Sequence, residues 1–236
     1  MAEFSGKKVV VIGGSRGIGA ATVKRFAALG AETVFTYVSS AEAAQAVAAA
    51  AGARAERVDS ADRDAVVKFI ANEGPIDVLV VSAGVVPFGA ALTVDPAEID
   101  QMIEINWRSP YFAIVEAARK MPNGGRIMLI GSAAADRVTG EYAAYSSIKS
   151  SYKALAEHLA HEWGAREITV NVIQPGNTDT DKNPADGPYA DYMRSMSPIK
   201  KHVKPEEIAD LAVYLAGPSG AMITGTTINV DGGLAL

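Results

Sequence analysis

The chain contains no cysteine. Disulfide frameworks, thiol nucleophiles and thiolate metal sites are therefore excluded, and the absence fits a cytoplasmic location. No apolar run approaches the ~18 residues needed to suggest a membrane span. The opening "KKVVVIGG" is too short in its apolar part for a signal peptide, so no membrane association is expected. Basic residues are outnumbered, 22 Lys and Arg against 27 Asp and Glu, for a formal net charge of −5. That mild acidity argues against a nucleic-acid polymer as partner but leaves room for a small anion pocket. Histidine is scarce as well. His158 and His161 stand three apart on an expected helix without a third His or Cys ligand beside them, and His202 is remote in sequence, so no metal site is expected.

What the 236 residues do contain is alternation. Val/Ile-rich runs at 7–13, 32–38, 53–59, 76–84, 125–132, 167–176 and 226–233 read as strands. Between them, 17–29, 41–52, 62–72, about 95–121 (one long helix or two), 142–164 and 205–216 read as helices. Near-continuous apolar strands separated by helices imply a parallel sheet covered on both faces. The expected fold is α/β, a single Rossmann-type doubly wound domain spanning 1–236, with a seven-stranded parallel sheet flanked by helices. One stretch, about 177–200, lacks periodicity and carries Pro184, Gly187, Pro188 and Pro198. A loop of that length in a compact domain is usually functional, and a lid is the expectation.

The first strand runs directly into "GGSRGIG" and then into a helix. In open parallel sheets, ligands bind outside the carboxyl ends of the strands. A helix N-terminus there presents free N–H groups to a phosphate, and glycine lets backbone approach it. Strand, glycine turn and helix in the first βαβ unit therefore read as a dinucleotide cradle. It is built from Gly13, Ser15, Arg16, Gly17, Ile18 and Gly19. The second strand ends in "FTYVSS" without the acid that commonly holds the ribose of NAD. Arg16, Ser39 and Ser40 suit a 2′-phosphate instead, so NADP(H) is favoured over NAD(H). The alternative is that Arg16 is solvated and the serines cap the next helix.

"AAYSSIK" places Tyr145 and Lys149 four apart near the start of a long helix, on one face. A free phenol titrates near pH ~10. A neighbouring ammonium favours the phenolate and lowers that value, which would let the pair move a proton at an alcohol or carbonyl oxygen. Ser132 ends the fifth strand at the same sheet edge and can hold the substrate oxygen.

With G-x-x-x-G-x-G at Gly13, Gly17 and Gly19, Ser132 and Y-x-x-x-K, the chain resembles the short-chain dehydrogenase/reductase family from about residue 6 to its end. The resemblance implies hydride transfer between NADP(H) and a small-molecule carbonyl or alcohol, with Tyr145 as general acid/base. It implies that Asn106 completes a tetrad with Ser132, Tyr145 and Lys149 by holding a water near Lys149. It places Asp59 and Ser60 at the adenine, although Asp59 reads equally as a turn or cap residue, and puts Ser82, Ala83 and Gly84 on the cofactor wall. Two positions depart from the family pattern: Ile12 replaces a threonine, and "VSAG" replaces Asn-Asn-Ala-Gly. Pro175, Gly176 and Thr180 match P-G-x-x-x-T, and the resemblance implies that the residue at Thr178 and the terminal threonine help bind the nicotinamide amide and phosphates. The lid beyond holds Asp181, Lys182, Tyr189, Tyr192, Met193 and Met196, which line a partly apolar pocket or pack the lid onto the body. Tyr152, Leu155, Leu159 and Trp163 form a stripe that is either core or a subunit interface. The family resemblance and the closing "INVDGG" imply a homotetramer, or else a homodimer.

A second function stands beside the first. "GGSRGIGAA", "DSADRDAV" and "YLAGP" resemble a bacterial member of the family that binds cyclic-di-GMP in biofilm dispersal. The same cleft would then hold a second-messenger dinucleotide.

Overall fold

The structure is a computed structural model and describes residues 2–138 and 140–236. Seven parallel strands form one sheet in the order β3-β2-β1-β4-β5-β6-β7. They are β1 (Lys8–Ile12), β2 (Glu32–Tyr37), β3 (Arg54–Arg57), β4 (Val78–Val81), β5 (Arg126–Ile130), β6 (Thr169–Pro175) and β7 (Thr227–Val230). The order reverses between β1 and β4, so a crevice opens at the carboxyl ends of those two strands.

Alternation along the strands sends side chains to two separate cores. Val10, Ile12, Leu79, Val81, Ile127 and Leu129 face α3 (Arg63–Asn72), α5 (Ser109–Lys120) and α6 (Ala143–Trp163). Val9, Val11, Phe35, Val78, Val80 and Met128 face α1 (Gly17–Ala28), α2 (Ala41–Ala51) and α8 (Pro205–Ala216). The doubly wound α/β reading of the sequence is therefore correct. The stripe on α6 is core within the chain: Tyr152 and Leu159 are buried, and Leu155 and Trp163 pack against the same cluster.

Two segments differ from the sequence expectation. The stretch expected as one or two helices at 95–121 is α4 (Pro96–Ile103), a π turn (Glu104–Arg108) and α5. Pro110 explains the break locally, because it has no N–H to give the carbonyl four residues back, that of Asn106. The stretch 177–200 is not wholly irregular either. A short helix, α7 (Ala190–Ser195), sits between Pro188 and Pro198. Its base is tied down by Asn177 Nδ2 donating to the Met193 carbonyl at 2.9 Å and by Arg137 donating to the Met196 and Leu234 carbonyls, each at 3.1 Å.

Candidate active site

The glycine turn is crowded by its own chain. Gly13 has φ +84°, and a Cβ there would lie 2.7 Å from the Ala83 backbone. A Cβ on Gly14 would meet the Phe35 side chain at 2.5 Å, and one on Gly19 would sit 2.0 Å from the Gly13 carbonyl oxygen. These glycines bring β1, β2, β4 and α1 together at one point. Thr36 fastens the turn, accepting from the Gly13 N–H through Oγ1 at 3.0 Å and from the Gly14 N–H through its carbonyl at 2.9 Å. Nothing in the alternation of "FTYV" marks that second duty for Thr36. The first turn of α1 keeps its polar end: Arg16 occupies the N-cap position and no side chain caps the helix.

The helix start opens into a cleft of about 460 Å³. Of the residues read from the sequence as cofactor-binding, Gly13, Ser15, Arg16, Gly17, Ile18, Gly19, Ser39, Ser40, Asp59, Ser60, Ser82, Ala83, Gly84 and Thr180 all line it. Ser40 holds the N-cap position of α2 but makes no capping hydrogen bond, so its hydroxyl remains available to the cleft. Asp59 both lines the cleft and closes a turn, accepting from the Ala61 N–H at 2.9 Å. Cap duty for α3 falls instead to Asp62, which accepts from the Ala65 N–H at 2.9 Å. Pro175, Gly176 and Thr178 do not line this cleft. The Thr178 hydroxyl is engaged locally, donating to the Gly176 carbonyl at 3.0 Å. Asp181 and Lys182, expected in the lid, line the cleft itself. Tyr37, Val38, Val85, Gln101 and Ile105 complete the lining and had no motif to announce them.

Beside the cleft lies a second cavity of about 240 Å³, bounded by Pro87, Ala91, Val94, Ile99, Tyr142 and Tyr145 among others. One segment links the two spaces: Ser82–Val85 lines the cleft, and Pro87 and Gly89 line the cavity. Phe88 packs edge-on to Tyr142 at 5.3 Å, and Tyr142 lies 6.2 Å from Tyr145.

The four residues of the expected tetrad come from three elements: Ser132 from the turn after β5, Asn106 from the π turn, and Tyr145 and Lys149 both from α6. Ser132 follows β5 and starts a single 3₁₀ turn, its Oγ accepting from the Ala134 N–H at 3.2 Å. Burial raises the pKa of the Tyr145 phenol, and hydrogen bonding with Ser132 opposes that rise. Lys149 is 4% exposed and donates from Nζ to the Ile130 carbonyl at 2.9 Å. Burial alone draws its pKa down to about 7. The expectation that the ammonium lowers the Tyr145 pKa is not what this arrangement gives. Lys149 Nζ lies 5.9 Å from the centre of the Tyr145 ring and donates to the Ile130 carbonyl, and desolvation of the phenol dominates.

Asn106 lies in the π turn and is fully buried. Its Nδ2 donates to the Val85 carbonyl at 2.8 Å and its Oδ1 accepts from the Val85 N–H at 2.9 Å. Its own carbonyl, which Pro110 deprives of its α-helical donor, accepts from the Tyr152 hydroxyl. A carbonyl oxygen has two lone pairs, so one remains for a water. His158 is exposed and bonds the carbonyl of Ala154 at 2.8 Å. Among the described residues, no group of three or more His, Cys, Asp or Glu side chains is placed to hold a metal ion. No helix there is long and apolar enough to cross a membrane.

Against known proteins, a family model described as enoyl-(acyl carrier protein) reductase matches residues 12–235. The cyclic-di-GMP-binding biofilm dispersal mediator protein of Escherichia coli K12 is 48% identical over 233 residues, covering 98% of this chain and 98% of the relative. A crystal structure of BdcA in complex with NADPH superposes with a TM-score of 0.95 at 48% identity, over 98% of this chain and 95% of that one. A short-chain dehydrogenase from Burkholderia cenocepacia J2315, in complex with NADP, gives a TM-score of 0.96 at 40% identity, over 99% and 100% of the two chains.

Proposed function

The chain belongs to the short-chain dehydrogenase/reductase family of oxidoreductases, and from that premise we propose that it is an NADP(H)-dependent carbonyl reductase acting on small, largely apolar carbonyl compounds. The cleft fits the cofactor. Its glycine turn leaves no room for side chains, α1 starts with its polar end uncapped, and Arg16, Ser39, Ser40 and Lys182 offer positive charge and hydroxyls to a 2′-phosphate. NAD(H), lacking that phosphate, gains nothing from them. Crystal structures of two relatives, one with NADPH and one with NADP, support the same choice.

When bound, the cofactor supplies the hydride for the carbonyl carbon. The chain's own residues manage the oxygen and its proton. Ser132 holds the carbonyl oxygen, and Tyr145 delivers a proton to it. Burial raises the pKa of the phenol, so Tyr145 is protonated at neutral pH and has a proton to give to the carbonyl oxygen. Lys149, with a pKa near 7, can return a proton to the site at physiological pH. Asn106 holds the segment after β4 against the π turn and offers its carbonyl to a water near Lys149.

The observation that carries this reading is the place of Tyr145: a protonated phenol on the wall of an apolar cavity, one short segment away from the cleft. In this reading the stretch 177–200, with α7 and its exposed Tyr189 and Tyr192, serves as the substrate lid. A panel of ketones and aldehydes, followed by loss of NADPH absorbance, tests the proposal. Tyr145→Phe keeps NADPH binding and loses turnover by roughly 10²-fold or more. A variant that reduced a confirmed substrate at the wild-type rate would defeat the mechanism. Family membership also supports a homotetramer or homodimer, which light scattering on the purified protein reads directly.

The 48% identical E. coli relative supports a second reading, binding of cyclic-di-GMP in the same cleft. Calorimetric titration with NADPH, NADH and cyclic-di-GMP separates the two. Heat with NADPH and none with the cyclic dinucleotide removes the second.

A further inference from the structure

Lys149 is a buried base gripped from two sides. Its Nζ donates to the Ile130 carbonyl at 2.9 Å and stands 4.6 Å from the centre of the Tyr152 ring. The Tyr145 ring is farther, at 5.9 Å. Tyr152 follows Lys149 by three residues, so both side chains leave one face of α6. The Tyr152 ring is itself fixed. It is 1% exposed, stacks on Trp107 at 6.5 Å between centroids, and donates its hydroxyl to the Asn106 carbonyl. That carbonyl lacks its α-helical donor because residue 110 is proline. An aliphatic side chain would fill the same space with no hydroxyl to satisfy. The ring face, the hydroxyl partner and the freed carbonyl make a consistent set that simple packing does not require.

We propose that Tyr152 is a positioning residue for the Lys149 ammonium, holding the cation on its ring face and held in turn by its hydroxyl on Asn106. The proposal rests on the role given to Lys149 in carbonyl reduction, but it concerns groups of this chain that can be followed without turnover. A ring face attracts the cation and not the neutral amine. Tyr152 therefore favours the protonated lysine, against the burial that draws its titration down to about 7. The groups facing Nζ are few. Strand β5 presents the Ile130 carbonyl, and the segment after β4 presents the backbone of Gly84, where an added Cβ would lie 3.8 Å from Nζ and 3.4 Å from Asn106 Oδ1. The titratable neighbours, Tyr145 and Tyr152, are both on α6. No carboxylate among the described residues shifts the Lys149 titration. The ring thus does the work that an acidic partner would do elsewhere.

The experiment follows Lys149 by NMR in the full chain labelled at the lysine ε position, with the spectrum of Lys149→Met assigning its signal. Tyr152→Phe keeps the ring and removes the hydroxyl; Tyr152→Leu removes both. The expected result is a fall of about one pH unit in the Lys149 titration for Tyr152→Leu, and less than half of that for Tyr152→Phe. The inflection of the kcat/KM profile for ketone reduction moves with it. An unmoved titration in Tyr152→Leu overturns the proposal, as does an equal shift in the two variants, which would place the effect on the hydroxyl. Should Tyr152→Leu fail to fold, pentafluorophenylalanine at 152 keeps the shape of Phe and reverses the sign of its ring face. A titration below that of Tyr152→Phe then supports the proposal, and one equal to it overturns it. A Lys149→Met enzyme that reduced ketones at the wild-type rate would remove the catalytic reading alone and leave the titration result standing.

Discussion

Asn106 and Val85 form a closed pair: the buried amide of one gives and takes one hydrogen bond with the backbone of the other, at 2.8 and 2.9 Å. The two residues are 21 apart in sequence, one in the π turn and one just beyond β4. The pair fixes the segment that walls both the cleft and the second cavity. Replacing Asn106 by alanine leaves the part-buried N–H and carbonyl of Val85 without their partner together. Each unsatisfied group costs about 1–3 kcal/mol, so Asn106→Ala is expected to lose ~2 kcal/mol or more. Urea unfolding measures the loss. A variant as stable as wild type would mean that water or a shifted backbone satisfies Val85 fully.

Lys149 gives a pH dependence with a definite sign. Its folded-state pKa, about 7, lies below the ordinary lysine value of 10.5 because of burial. Between those two pH values the unfolded chain holds a proton that the folded chain has released. Stability from this group therefore rises as pH climbs from 7 towards 10.5, and its penalty is fully present below 7. Lys149→Met removes the penalty. The variant should be more stable than wild type at pH 6, by a margin on the order of a few kcal/mol less the lost bond to Ile130. The margin should shrink steadily towards pH 10. Thermal melts of both proteins across that range check it, and a margin that did not vary with pH would show that Lys149 stays charged when folded.

Much of this was written in the sequence, and the reason is local. The central strands are Val/Ile/Leu runs, as in KVVVI of β1 and VLVV of β4, and the regular alternation with helices marks the place of the others, including β3, which is Arg-Ala-Glu-Arg. The cradle was legible because glycine spacing is a backbone property. What stayed hidden depends on groups far apart in the chain. Pro110 is visible in the sequence, but that it frees a carbonyl for the Tyr152 hydroxyl, 46 residues from Asn106, is not. Tyr152 looked like one more member of an apolar stripe, and its ring does pack there. The sequence spacing of Tyr145 and Lys149 suggests a pair in which the ammonium lowers the phenol's pKa. Proximity was legible, but the depth of burial that outweighs it was not. Lys182 and Asp181 reached the cleft because the chain turns after Thr180, a turn no periodicity announces.

The glycine turn makes a third prediction, paired with its own control. A Cβ at position 19 would fall 2.0 Å from the Gly13 carbonyl oxygen, a backbone atom that cannot step aside. Gly19→Ala must open the turn between β1 and α1. Overpacking of this kind costs about 1–3 kcal/mol. Since the displaced atoms are the cradle itself, NADPH affinity should fall at least ~10-fold with it, 1.4 kcal/mol being tenfold. At Gly84 the nearest atom to a new Cβ is Asn106 Oδ1 at 3.4 Å. Gly84→Ala is therefore expected to keep its melting temperature, to lose far less NADPH affinity than Gly19→Ala, and to lose turnover through crowding beside Lys149. Calorimetry with NADPH on both variants decides the matter: equal losses of affinity would mean that the turn is not what seats the phosphates.

The choice between the two nicotinamide cofactors turns on Arg16. It stands at the N-cap of α1 without capping it, on the wall of the same cleft as Ser39 and Ser40. Ser40 likewise occupies a cap position and makes no cap bond. Two residue positions that elsewhere serve helix ends are here left open to the cleft, as a phosphate site requires. A charge-assisted hydrogen bond contributes about 1.5–3 kcal/mol. Arg16→Ala should accordingly weaken NADPH by roughly 10- to 100-fold and leave NADH within about 2-fold, so that the preference collapses rather than the binding as a whole. Because no intrahelical cap is lost, the melting temperature of the apoprotein should stay where it is. Dissociation constants for both cofactors, measured by protein fluorescence quenching, give the ratio directly. A parallel fall for NADPH and NADH would mean that Arg16 touches the shared pyrophosphate or merely shapes the start of α1, and that the 2′-phosphate is held by Lys182 or by the serines alone.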